Sequence, residues 1–124
     1  MRTKVAVAVM SALALMLCAQ VAEAAVLRVV TVETADVDAY AAEIAKAKPM
    51  LKRMGIDTAA RVWKARFAGT IAGSVVVSLE FADLQALADS EAKMAADAEY
   101  TAWLKGLAKL RKVVSESIYF EVTK

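Results

Sequence analysis

Apolar positions change their spacing along this chain, and each change marks an element. Val26 to Glu33 is half valine and, apart from Arg28, Thr31 and Glu33, is apolar on both alternating faces. β-branched residues in that pattern predict a strand in the middle of a sheet. Three- and four-residue steps take over at Val37, Tyr40, Ala41, Ile44, Ala47 and Leu51. They predict one amphipathic helix, capped by Thr34 or Asp36 and ended by Gly55. Pro49 falls inside it, with no N–H to donate and a ring that crowds the preceding turn, so a kink or break is predicted near Lys48.

Alternation returns from Thr58 to Phe67, a glycine-bounded turn occupies 69–73, and Ser74 to Phe81 alternates again with Val75, Val77, Leu79 and Phe81 on one face. These two segments predict a hairpin. Asp83 is placed to cap a second helix through Leu84, Leu87, Ala88 and Met94. A break follows at 95–99, and Trp103, Leu107 and Leu110 mark a further helical run. Val113 to Thr123 closes the chain as an alternating strand. The order predicts an α+β, ferredoxin-like βαββαβ domain: one four-stranded antiparallel sheet with helices on one face.

Helices cover one side of a sheet, and the faces carrying Val75, Val77, Leu79 and Phe81, or Val114, Ile118 and Phe120, are predicted to meet them. The other face is then assigned Val26 or Leu27, Val29 or Val30, Val62, Val76 and Tyr119, mixed with Arg28, Lys64, Arg66, Ser78, Glu80, Ser115 and Ser117. Glu80, Arg28, Lys64 and Arg66 read there as cross-strand ion pairs. Such a face is too apolar to stand in water, and a second copy of the same sheet would cover it, so a homodimer through the sheet face is predicted.

The first 24 residues follow a different rule. Arg2 and Lys4 precede an almost wholly apolar run from Val5 to Cys18, and Ala22-Glu23-Ala24 supplies a small-x-small cleavage pattern before Ala25. The run is shorter than the roughly 20 residues a membrane span needs, so residues 1–24 read as a secretory signal peptide and 25–124 as a single exported domain, with no membrane anchor left after cleavage. The bulky Leu17 before Cys18 argues against lipoprotein processing. The periplasm is the expected location, secretion the alternative. Cleavage removes the only cysteine, leaving packing without disulfides as the source of stability.

Two of the 16 basic residues and one of the 14 acidic ones lie in the first 24, leaving 14 against 13 with the signs interspersed. That balance gives no reason to expect nucleic acid as a partner. With no histidine in the chain, no Ser-His-Asp or Cys-His set can form, and neither a metal nor a cofactor is expected.

The element order, the 73–81 strand leading into the Asp83-Leu84 helix start, and the Asp97-Ala98-Glu99-Tyr100-Thr101-Ala102-Trp103-Leu104 segment together resemble the dimeric α+β barrel superfamily. That group holds the antibiotic-biosynthesis monooxygenases (ABM) and the NIPSNAP-type domains. The resemblance spans nearly all of Val26 to Val122. It implies a homodimer with two facing sheets and a pocket between each sheet and its helices, or at the barrel mouth. Haem-degrading relatives hold iron with histidine and use asparagine nearby, and this sequence has neither. Cofactor-independent oxygenation of phenols remains open to the group's pattern, with Trp63 or Trp103 orienting the substrate.

Candidate residues follow from their settings. Trp103 sits in a helical stripe, as core or as a pocket wall. Trp63, on a strand face with Arg61, packs, serves an interface, or touches a ligand. Tyr40 and Tyr119 could hydrogen-bond a ligand or simply keep a buried ring and a wet hydroxyl. Glu116 interrupts the Val114, Ile118, Phe120 face, where a carboxylate is costly unless paired, and is the candidate base; pairing with Arg111 or Lys112 or access to water is its plainer reading. Asp97 and Glu99 read as a solvated break between helices. The leading functional expectation is an exported binding module for a small apolar or aromatic ligand. The alternatives are a cofactor-independent monooxygenase-like enzyme on an aromatic or quinol substrate, and a structural partner domain of an exported assembly.

Overall fold

The computed structural model describes residues 24–66 and 69–123. The signal-peptide reading of residues 1–24 therefore lies almost entirely outside the described residues, as does Phe67. Four strands, β1 (Val26–Glu33), β2 (Ala60–Lys64), β3 (Val75–Phe81) and β4 (Lys112–Phe120), form one antiparallel sheet in the order β2-β3-β1-β4. The two helical segments are each broken in two, as α1 (Val37–Ala45) with α2 (Ala47–Arg53), and α3 (Leu84–Ala96) with α4 (Ala98–Leu107). This is the ferredoxin-like α+β arrangement, with β1 central as its two apolar faces require. Among the described residues no helix is long and apolar enough to cross a membrane.

Local chemistry sets the boundaries. Asp36 and Asp83 sit in extended backbone and accept from the N–H groups of Ala39 and Ala86, at 3.0 and 2.7 Å, each satisfying a donor that the helix start leaves unpaired. The expected break falls at Lys46, two residues before Lys48. A continuous helix would need the missing N–H of Pro49 to reach the Ala45 carbonyl; a break at Lys46 puts proline in the first turn of α2, where no donor is required. Gly55 then ends α2 with φ +72°, its N–H donating to Lys52 and that of Ile56 to Leu51, so that Ile56 folds back onto Leu51 in the core.

Packing divides into two clusters. One joins Val26 and Phe81 to Met50, Leu51, Leu87 and Met94; the other joins Val32, Val75 and Val77 to Tyr40, Ile44 and Leu107. Burying one such side chain stabilises by about 1.5–3 kcal/mol. Each broken helix serves both halves: α1 packs on the second cluster and α2 on the first, while α4 reaches from Tyr100 in the first to Leu107 in the second. Trp103 packs against both.

The face assignments change in two places. Val26 and Val32 turn toward the helices, so Arg28 and Val30, which share their parity, do too; Val62, opposite Val77, and Lys64, opposite Val75, follow. Arg28 is consequently not part of a cross-strand ion-pair network on the open face. Conversely, Val114, Ile118 and Phe120 do not meet the helices: β4 is an edge strand beyond their cover, and each of its residues is exposed except Ser117, which is half-buried. A bulge opposite Thr31 and Val32, where Val114 is the extra residue, bends its start.

Candidate functional site

A cavity of about 390 Å³ lies between the sheet and the helices, where the two core clusters meet. That volume is at the lower end of small-molecule sites, about 300–1,000 Å³. Its apolar wall is built from Ile44, Leu51, Val77, Leu79 and Met94, with Leu104 at 36% exposure among the lining residues. Its polar groups come from Arg28 on β1, Glu91 on α3, Tyr100, Thr101 and Trp103 on α4, Arg111 just after α4, and Glu116 on β4.

The position of α4 depends on Asp97, which ends α3 and caps α4 at once. Its carboxylate accepts from the Tyr100 N–H at 2.9 Å and from both Nη atoms of Arg53, at the end of α2, at 2.8 Å each. Asp97 is therefore not the solvated residue that its place in a break implied; its side chain is only 15% exposed. The Arg53 guanidinium, together with the Tyr100 N–H, holds its carboxyl down from 3.8 to about 2. One and two turns on, the same helix delivers Tyr100 and Trp103 to the cavity, ring centroids 5.4 Å apart and tilted by 48°.

Three charges meet at one side. Arg28 Nη1 lies 2.6 Å from Glu91 Oε1 and its Nη2 lies 3.5 Å from Glu116 Oε1. Glu116 is thus neither on a buried apolar face nor paired with Arg111 or Lys112. Its side chain is 56% exposed and reaches water. It stands at the rim of the cavity as a partner of Arg28.

Arg111 is held differently. Its Nη1 donates to the Tyr40 hydroxyl at 2.9 Å, and that tyrosine is fully buried behind the cavity. Tyr40 is a support for Arg111. The Arg111 Nε and the Trp103 Nε1 are both buried, and neither finds an acceptor among the described residues. Burial pushes the Tyr100 phenol up, while the nearby Arg28 and Arg111 guanidiniums act in the opposite sense.

The five residues singled out from sequence therefore separate. Trp103 and Glu116 line the cavity, and Tyr40 stands behind it. Trp63 and Tyr119 lie on the open face of the sheet, 52% and 57% exposed; the Trp63 indole donates to Ser78 Oγ at 2.8 Å across a broad groove that Leu27, Val29 and Val76 also line. Arg28, Glu91, Tyr100 and Arg111 were not expected as site residues. The parity that Arg28 shares with Val26 and Val32 is the one signal that would have placed it. Among the described residues no group of three or more metal-ligating side chains occurs.

The same fold recurs in solved proteins. SnoaB, a cofactor-independent oxygenase from Streptomyces nogalater, superposes in a mutant form with a TM-score of 0.59 at 13% identity, over 81% of this chain and 95% of that one. A NIPSNAP family protein from Agrobacterium tumefaciens gives 0.59 at 12% identity over 82% and 88%. A protein of unknown function from Bacteroides thetaiotaomicron, described as a possible oxidoreductase, gives 0.51 at 12% identity over 81% and 100%. No family model matches the sequence and no curated protein matches it. The chain shares the α+β fold of SnoaB and of the NIPSNAP family protein.

Proposed function

We propose that this protein is a small-molecule-binding domain whose ligand, a compact apolar or aromatic molecule, occupies the cavity between the sheet and the helices. The observation that carries this reading is the cavity itself: apolar walls drawn from three strands and all four helices, with Arg111 and Trp103 in its lining each carrying a buried N–H that has no acceptor among the described residues. Calorimetric titration with naphthol tests it. Binding is expected in the natural chain and is expected to vanish in Leu104→Trp, which fills the cavity mouth. Binding that survives that substitution would place the ligand elsewhere.

The domain acts, in this reading, as an exported homodimer in the periplasm. Support comes from the signal-like residues 1–24 and from two uncovered apolar surfaces, the open sheet face and the bare β4 edge. An exposed edge strand carrying Val113, Val114, Ile118 and Phe120 invites pairing unless something covers it.

A second reading, a cofactor-independent monooxygenase-like activity on an aromatic or quinol substrate, is favoured by one observation: Trp103 and Glu116 both line the cavity, in a fold that SnoaB shares. Trp103 would orient the ring and Glu116 would accept a proton from it. Oxygen uptake with a panel of phenols and quinols, lost in Glu116→Gln, would establish it; no uptake with any of them leaves the binding role.

A further inference from the structure

Among the described residues, one of the two guanidiniums lining the cavity has no carboxylate partner. Arg28 shares its charge with Glu91 and Glu116, but among the described residues no carboxylate lies within 4.0 Å of Arg111, whose one side-chain partner is the neutral Tyr40 hydroxyl. A half-buried guanidinium held by a neutral group, with a buried Nε lacking an acceptor, leaves both a charge and a hydrogen bond unmatched. Trp103 adds a second buried N–H in the same lining, on a ring packed against Tyr100. Indole N–H and guanidinium Nε–H are donors only, so nothing but an acceptor can satisfy either.

Shape and chemistry therefore ask for two different things of a ligand. Ile44, Leu51, Val77 and Met94 ask for an apolar body. Arg111 and Trp103 ask for an anionic oxygen group, because hydrogen bonds to an ionised acceptor are the stronger kind and a carboxylate has enough lone pairs to receive from several donors. Resting on the ligand-binding role of this cavity, we infer that the ligand is an organic acid, its carboxylate held by Arg111 and Trp103 and its apolar or aromatic body against the aliphatic wall.

Naphthoate, ionised at neutral pH, and its neutral isostere naphthamide are the probes, titrated calorimetrically into the purified protein. Naphthoate is expected to bind more tightly by about tenfold or more. Trp103→Phe, which keeps an apolar ring but no N–H, and Arg111→Leu are each expected to bring naphthoate down to the affinity of naphthamide, with unchanged far-ultraviolet circular dichroism as the check on folding. Equal affinity for the two probes in the natural chain would overturn the acid inference and leave the binding role standing. Failure of both probes to bind would overturn the two together. A naphthoate preference that persists in both variants would remove Arg111 and Trp103 from the site.

Discussion

Arg53 and Asp97, 44 residues apart, meet through two parallel hydrogen bonds of 2.8 Å, and this pair fixes the end of α2 to the start of α4. Such fork-to-fork geometry is the strong form of an ion pair and adds orientation as well as energy. Because Tyr100 and Trp103 follow Asp97 on the same helix, the clamp sets where the cavity wall stands.

That clamp makes stability depend on acid in a definable window. A carboxyl held at about 2 in the folded chain, against 3.8 when free, binds protons more readily unfolded than folded across that interval. Its stabilisation is complete above about pH 4 and is lost as pH falls through about 2. Asn at 97 keeps a capping side chain but no charge. Asp97→Asn should therefore lower the melting temperature near neutral pH, with the gap to the natural chain closing on acidification. Thermal unfolding followed across that range checks it, and a gap that does not narrow would contradict it.

Tyr40→Phe removes the partner of Arg111 Nη1 while keeping the buried ring. The loss is expected to be about 1.5–3 kcal/mol, since the hydrogen bond joins a charged donor to a buried acceptor. Urea unfolding measures that loss, and naphthoate affinity should fall with it as Arg111 loses its anchor.

Leu51 is 2% exposed, belongs to the first core cluster and also forms part of the cavity wall. Leu51→Ala should cost about 2–5 kcal/mol. It should also widen the cavity, so a bulkier aromatic probe that the natural chain excludes becomes a ligand. Denaturant titration and calorimetry read the two effects separately.

Light scattering on residues 25–124 across a concentration series tests the pairing of sheets. A dimer that persists on dilution is expected, and Phe120→Lys combined with Trp63→Lys should shift it toward monomer by placing charge on the surfaces to be covered. A natural chain that is monomeric at every concentration would contradict the pairing.

Much of the fold was legible because its signals are local. Asp36, Asp83 and Gly55 mark helix ends through their own side chains or backbone, and the alternation of Val75, Val77, Leu79 and Phe81 gave the inner face of β3, whereas the cap at Asp97 was hidden behind its reading as a solvated break. β1 was different: apolar on both faces, it left the choice of parity open, and the position of Arg28 went with that choice. β4 alternates as well as β3 does, yet being inside or at the edge is a property of strand order, which alternation does not encode. The cavity was legible only in part, through Trp103 and Glu116, because its polar groups come from five places in the sequence that only the fold brings together.

The two tryptophans stand on opposite faces of the sheet, Trp103 in the cavity and Trp63 over the open face, so their indole N–H resonances report the two surfaces independently. A two-dimensional proton–nitrogen spectrum recorded during titration with naphthoate is the most direct test of where the ligand sits. On binding, the Trp103 resonance is expected to move while that of Trp63 stays in place. Movement of Trp63 with Trp103 unchanged would put the ligand on the open face and contradict the assignment of the cavity as the site.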